Sequence, residues 1–270
     1  MQTTNFLDRI IADKRRRLAR ARGEKSLELL RDEARRARSL APAHALRAAL
    51  EGKERVHIIA EIKRASPSKG TVRETVVPSE LARAYAGGGA AAISILTEED
   101  HFRGSLADLS EVRQMVALPL LRKDFIFDEY QVHEAAAAGA DALLLIVAAL
   151  DADALLRLRR LAEEDLRMDA LVEVHTSEEL HRAVDAGATL VGVNNRNLQT
   201  FDVSLETSLQ LASQAPTGTL LVSESGISTA ADIRRLRSHG YKGFLVGETL
   251  MRSEDPAEAL SALIQESKAL

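Results

Sequence analysis

Cysteine and tryptophan are both missing from this 270-residue chain, and three tyrosines and six phenylalanines are its only benzene-type rings. Without cysteine there is no disulfide, no thiolate nucleophile and no cysteine-based metal centre. Apolar runs are short. None reaches eighteen residues without a charge, so no membrane-spanning helix is expected. Asp8 and Asp13 interrupt the first apolar residues, which therefore do not read as a secretory h-region, and a cytoplasmic protein is expected. Neither a Gly-x-Ser-x-Gly elbow nor a Walker loop occurs. The histidines have no spacing to carboxylates that suggests a metal site, and no metal is expected.

The residues that are present describe an ordinary globular protein, 46% hydrophobic and 28% charged, with a formal net charge of −4. That net value hides an asymmetry. Residues 1–47 hold 13 Lys/Arg against 6 Asp/Glu, and the remainder holds 23 against 34. A basic arm of this kind can bind nucleic acid or a membrane surface. Here its one ring is Phe6 and it lacks an RNA-binding signature, so a solvated helical extension is expected, with no nucleic-acid or membrane partner.

Asn5 and Asp8 signal a helix start, with Phe6, Leu7, Ile10, Ile11 and Leu18 at roughly helical spacing and Gly23 as a stop. A second helix is expected from Ser26 to about Ser39. From Val56 onward eight short apolar runs alternate with helical stretches. They are Val56–Ile62, Ala90–Leu96, Pro119–Leu121, Ala142–Val147, Ala170–Val174, Leu190–Val193, Thr219–Val222 and Gly243–Val246. Nearly continuous apolar runs fit parallel strands buried on both faces. Glycines at 87–89, 139, 187 and 240 precede every second run as helix C-caps, about fifty residues apart, the length of two βα units. The fold class expected is α/β, a (β/α)8 barrel, with residues 1–270 as one domain and 1–50 as an N-terminal helical extension. An open doubly wound sheet is the competitor, but no Gly-x-Gly-x-x-Gly follows the first run.

In such a barrel, polar groups at the C-terminal ends of strands face the active site. Those ends carry Glu61 and Lys63, Thr97, Lys123, Glu173, Asn194 and Arg196, then Glu224 and Ser225. One charged residue ending a strand is ordinary; five strand ends converging ionisable or amide groups on one mouth point to a site. Two loops look suited to phosphate. Ser225 and Gly226 follow the seventh run, and Gly247-Glu248-Thr249 follows the eighth, where backbone N–H groups approach an anion and Glu248 must turn its carboxylate away. Ser66, in Ser66-Pro67-Ser68-Lys69-Gly70, is placed to cover the anion from the other side. Phe102, Phe125 and Leu198 are candidates for an apolar wall, and His175 reads as a structural or helix-capping residue.

Over essentially its full length the chain resembles indole-3-glycerol phosphate synthase. The segments that carry this are Leu7–Arg15, Ile59–Ser68, Ser94–Glu98, Leu121–Ile126, Leu171–His175, Gly192–Leu198 and Val222–Ile227. The resemblance implies ring closure of 1-(2-carboxyphenylamino)-1-deoxyribulose 5-phosphate to indole-3-glycerol phosphate, carbon dioxide and water. It implies Lys123 as the acid on the ketone oxygen and Glu173 as the acid or base of the dehydration. Glu61 and Lys63 steer protons and the substrate carboxylate, Asn194 and Glu224 hold sugar hydroxyls, and Arg196 orients the ring. A small phosphorylated substrate is the expected partner, and the chain is expected to be a monomer, with a dimer as the alternative. Two other readings stay open: another phosphate-binding barrel, such as phosphoribosylanthranilate isomerase or the tryptophan synthase α subunit, and a non-catalytic barrel whose basic arm contacts RNA.

Overall fold

The computed structural model describes residues 6–52, 56–67, 70–73 and 75–268, so the proposed cap Asn5 and the loop residues Ser68 and Lys69 lie outside the described residues. Three helices come first, α1 (Phe6–Glu24), α2 (Leu27–Ser39) and α3 (Ala45–Leu50). The start of α2 is set by Ser26, whose hydroxyl accepts from the Leu29 N–H at 3.3 Å.

Eight strands follow, one on each expected run: β1 (His57–Ile62), β2 (Ala92–Leu96), β3 (Leu120–Lys123), β4 (Ala142–Ile146), β5 (Asp169–Val174), β6 (Leu190–Asn194), β7 (Leu220–Glu224) and β8 (Gly243–Val246). All pair in parallel, and β1 pairs with both β2 and β8, which closes the barrel. The connecting helices are α4 (Pro78–Gly87), α5 (Leu106–Met115), α6 (Glu129–Ala137), α7 (Ala152–Arg160), α8 (Ser177–Asp185), α9 (Glu206–Ala212) and α10 (Ala230–Ser238). A short turn α11 (Glu248–Met251) and α12 (Pro256–Glu266) complete the chain. Gly89, Gly139, Gly187 and Gly240 each hold a positive φ of 80–95° just after a helix, as left-handed caps feeding the next strand.

Three strands continue beyond the C-terminal ends of their expected runs. The third and seventh extend to Lys123 and Glu224, and the sixth to Asn194, so the polar residues are part of the hydrogen-bonded ladder and not of the loops beyond it. The chain tolerates charge there because partners arrive from neighbouring elements. Arg122, buried in β3, bonds Asp124, the Thr97 hydroxyl and the carbonyl of Gln131, and pairs with Glu134.

Side chains on a strand alternate between its two faces. Ile59, Ala92, Leu121, Leu144, Leu171, Leu190, Val222 and Leu245 fall on one face and fill the barrel interior. Ile58, Ile93, Leu143, Val172, Val191, Leu221 and Phe244 fall on the other and pack under the helices. The two leucines of α3, Leu46 and Leu50, join the interior set. Leu50 sits where a Cβ on Gly243 would touch it at 3.4 Å, at the start of β8, so α3 stoppers the N-terminal end of the barrel.

The basic arm keeps its solvated face, and three of its half-exposed arginines reach across to carboxylates of the barrel. Arg17 pairs with Asp100, Arg22 with Asp128 and Arg31 with Glu129, all on the barrel. Lys14 is buried, 2.8 Å from Asp124 and 3.1 Å from Glu99. Burial would push the Asp124 carboxyl up, but Lys14 and Arg122 hold it down to about 2. Since that lies below its unfolded value, Asp124 contributes stability above about pH 4 that is lost as pH falls toward 2. Asp124→Asn is expected to cost about 3 kcal/mol at neutral pH by leaving cations without their counter-charge. In urea unfolding, the gap between parent and variant should narrow between pH 4 and pH 2; a constant gap would assign the loss to packing instead.

Candidate active site

The alternation that builds the core also builds the site. Continuing the inward parity by one step puts Glu61, Lys123, Glu173, Asn194 and Glu224 at the C-terminal end of the barrel interior, beside Leu96, Ile146 and Gly247. They form the floor of a cavity of about 740 Å³. Apart from Thr97, every candidate site residue named from the sequence lines it: the floor residues, then Lys63, Ser66, Phe102, Phe125, Arg196, Leu198, Ser225, Gly226, Gly247 and Glu248. Two polar residues near strand ends do not. Thr97 has the opposite parity, and its hydroxyl donates to Asp124 at 2.6 Å beneath the floor. His175 stands behind Glu173.

At the centre, the Lys123 Nζ lies 2.8 Å from Glu224 and 3.2 Å from Glu173. Burial favours the neutral amine, yet Glu224, Glu173 and Glu61 together hold the ammonium well above the ordinary lysine range. The two glutamates differ. Both are driven up by burial; Glu173 is pulled below the usual range by Lys123, His175 and a hydrogen bond from Asn194. Glu224 stays above it, since Lys123 is opposed by the charges of Glu173 and Glu61. Lys63 is tied to Glu61 at 2.6 Å. Two glycines give the carboxylates space: a Cβ on Gly192 would lie 2.1 Å from the Glu224 Oε1, and one on Gly247 2.3 Å from the Glu61 Oε1.

The loops above form the rim. Asn195, buried, donates to the Ser223 hydroxyl and to the carbonyls of Glu224 and Ser225, locking the loop after β6 to the end of β7. Ser225 and Gly226 follow with φ of +65° and +80°, and a Cβ on Gly226 would lie 2.5 Å from Val203. The Thr249 hydroxyl donates to the Ile227 carbonyl at 3.2 Å, so the loops after the neighbouring strands β7 and β8 are joined side by side on the rim. Glu248 pairs with Arg252 at 3.1 Å, one turn along α11. Phe102 and Phe125 stand 6.2 Å apart as one wall.

Part of the rim was missed by the sequence reading. Phe6 at the start of α1 meets Phe201 edge-on at 5.4 Å, and both line the cavity with Val203 and Arg252. Phe6 stood out as the single ring of the arm, but no spacing connects it to Phe201. Among the described residues no group of three or more His, Asp or Glu is placed to hold a metal ion, and no helix is long and apolar enough to cross a membrane.

Comparison with known proteins agrees with this architecture at two levels. By shape, the chain is similar to 3-hexulose-6-phosphate synthase from Salmonella typhimurium, with a TM-score of 0.63, 12% identity, and coverage of 78% of this chain and 99% of that one. It is likewise similar to thiamine phosphate pyrophosphorylase from Pyrococcus furiosus, with a TM-score of 0.60, 19% identity, and coverage of 79% and 98%. Those likenesses speak to the barrel alone. By sequence, it is 48% identical over 262 residues to the indole-3-glycerol phosphate synthase of a Polaromonas species, covering 96% of this chain and 98% of that protein. It is 46% identical over 263 residues to that of Carboxydothermus hydrogenoformans, covering 96% and 99%. The family model described as indole-3-glycerol phosphate synthase matches residues 7–263, and the chain belongs to that family.

Proposed function

We propose that the cavity floor carries out the ring closure of 1-(2-carboxyphenylamino)-1-deoxyribulose 5-phosphate, with loss of carbon dioxide and water, to give indole-3-glycerol phosphate. The observation that carries this reading is Lys123, an ammonium clamped between two buried carboxylates and facing a cavity walled by Phe102 and Phe125. The aromatic carbon bearing the carboxylate attacks the ketone carbon, and the ketone oxygen becomes an alkoxide as the bond forms. Lys123 donates its proton to that oxygen. Carbon dioxide then leaves with the bond to the ring carbon, whose electrons restore the aromatic ring. The hydroxyl so created departs as water: Glu173, ionised, takes the proton from the neighbouring methylene carbon and passes it to the leaving hydroxyl, while the carbon–hydrogen bonding electrons form the new ring double bond.

The remaining residues bind and orient. Lys63, held by Glu61, meets the substrate carboxylate. Asn194 and Glu224 take the sugar hydroxyls, and the raised Glu224 carboxyl suits a group that both donates and accepts. Arg196 and Leu198 orient the ring. The phosphate lies between Ser66 and the loops of Ser225, Gly226, Gly247 and Glu248, and the pairing of Glu248 with Arg252 offsets its charge there. Every step is a proton transfer or a bond cleavage that conserves electrons, so no cofactor is invoked. On this reading the chain acts as one domain and as a cytoplasmic monomer. Nucleic acid is not a partner on this reading, since the arm has Phe6 as its one aromatic ring of the benzene type and lacks an RNA-binding signature.

Lys123→Ala is expected to lower kcat by about 10²–10⁴-fold with a much smaller change in KM. The measurement is direct. With no tryptophan in the chain, newly formed indole fluoresces on a dark background. A kcat within a few-fold of the parent would remove Lys123 from the acid role. No emission from the folded parent at micromolar concentration would refute the reaction itself.

Gly192→Ala tests the positioning of Glu224. A methyl group 2.1 Å from its Oε1 forces the carboxylate off Lys123, and a displacement of about 1 Å costs on the order of 10²-fold in kcat/KM. Circular dichroism should stay that of the parent; unchanged kcat/KM would free Glu224 from its role.

A further inference from the structure

His175 does not itself line the cavity, yet it meets the site from behind. It follows β5, two residues after Glu173, with a side chain only 11% exposed. Its Nδ1 lies 3.1 Å from Glu179 Oε2, in the first turn of α8, and that same oxygen accepts from the His175 backbone N–H at 2.6 Å. The ring is thereby fixed in rotation. Its other nitrogen, Nε2, is buried, makes no hydrogen bond, and stands 3.5 Å from Glu173 Oε1. The opposite oxygen of Glu173, Oε2, faces Lys123. Glu173 is thus flanked by two nitrogen bases, one on the cavity side and one behind, and its ring partner is anchored by a carboxylate of its own. A cap for α8 does not require this arrangement, because Thr176 already accepts from the Glu179 N–H.

The chemistry gives the rear partner a purpose. When Lys123 passes its proton to the ketone oxygen, the amine left behind is neutral. Glu173 then sits in a water-poor pocket beside Glu224 with its nearest cation gone, and burial drives it toward the protonated form. A protonated Glu173 has no capacity to remove the proton needed for dehydration. We propose that His175 is a positioning residue: as an imidazolium anchored by Glu179, it keeps Glu173 ionised and aimed while Lys123 is neutral. This rests on the role given above to Glu173.

The groups facing this pair come from four elements. Glu173 sees Lys123 of β3, Asn194 of β6, Glu224 of β7 and His175; the imidazole sees Glu173, Glu179 of α8 and, at longer range, Glu224. Burial would push the imidazole down, but the hydrogen bond to Glu179 and the charge of Glu173 hold it above the ordinary histidine range. The imidazolium is therefore present below its raised value and is lost as pH rises through it.

The test is the pH profile of the single-turnover rate, read from indole fluorescence. An opposite charge within 4–6 Å lowers a carboxyl by about one to three pH units. His175→Asn, which keeps a polar side chain but removes the cation, should move the acid limb upward by about one unit or more. Its rate should recover toward that of the parent at higher pH, with KM within about threefold. Glu179→Gln should shift the limb in the same direction by less. A purely structural role would instead lower the rate evenly across pH and leave the limb in place, and limbs coinciding with the parent in both variants overturn the proposal. If His175→Asn does not fold, Glu179→Gln and the imidazole titration of the parent by nuclear magnetic resonance decide. A midpoint at or below about 6.5, the unperturbed value, overturns the proposal. Glu173→Gln separates the two layers: retained activity there would remove Glu173 from the dehydration, and the inference with it. An inactive Glu173→Gln together with an unmoved limb in the His175 and Glu179 variants would overturn the inference alone.

Discussion

Closing eight parallel strands into a barrel leaves each strand with one face that has no solvent and no helix to meet, only the other seven strands. That constraint organises everything else in the molecule. Alternate residues must fill a narrow interior, so aliphatic side chains such as Ile59, Leu121, Leu171 and Val222 stack there. The stack ends where the strands end, and its last members no longer need to be apolar, since the cavity opens above them. Glu61, Lys123, Glu173, Asn194 and Glu224 are therefore the top of the core as much as the bottom of the site. Their backbones belong to the ladder, with Asn194 in register with Glu224 and Ile146 with Glu173, and loop motion cannot scatter them.

Charges in such a position are expensive unless they compensate one another. Lys123 makes the cluster tolerable, and the cluster makes Lys123 an ammonium. The glutamates divide according to their remaining neighbours: one with an imidazole and an amide beside it ionises readily, the other with carboxylates beside it resists. A second charged layer lies just outside the barrel wall, where Lys14, Arg122, Thr97 and Asp124 bond to one another. It joins helix α1 to the residue that follows Lys123, so the extension and the site share one wall.

Much of this was legible in the residues. Eight apolar runs, their spacing and the cap glycines specify the barrel, and reading polar groups at strand ends collects residues that do line one cavity. The reading clipped β3 and β7 short of Lys123 and Glu224, because a charge inside a buried strand has no visible partner until the chain is folded. For Arg122 those partners come from Thr97, Asp124, Gln131 and Glu134. Thr97 was grouped with the site although it follows the inward Leu96 and so faces the other way; parity along the strand would have separated the two. The contact of Phe6 with Phe201 and the pairing of Arg17, Arg22 and Arg31 with Asp100, Asp128 and Glu129 depend on distances that no local pattern encodes.

The stopper at the other end of the barrel has a consequence in time. Leu46 and Leu50 belong to the interior core, and Leu50 packs at Gly243, which opens the last strand. On a ribosome these leucines emerge before any strand, while the strand they abut is the last of the eight to emerge. β1 likewise waits for β8 along one edge. Until then the nascent protein carries an unpaired strand edge and an uncovered pair of leucines, the features that draw chaperones and invite association. The barrel cannot be finished piecemeal from its first strand, and its period of vulnerability lasts through the synthesis of all eight.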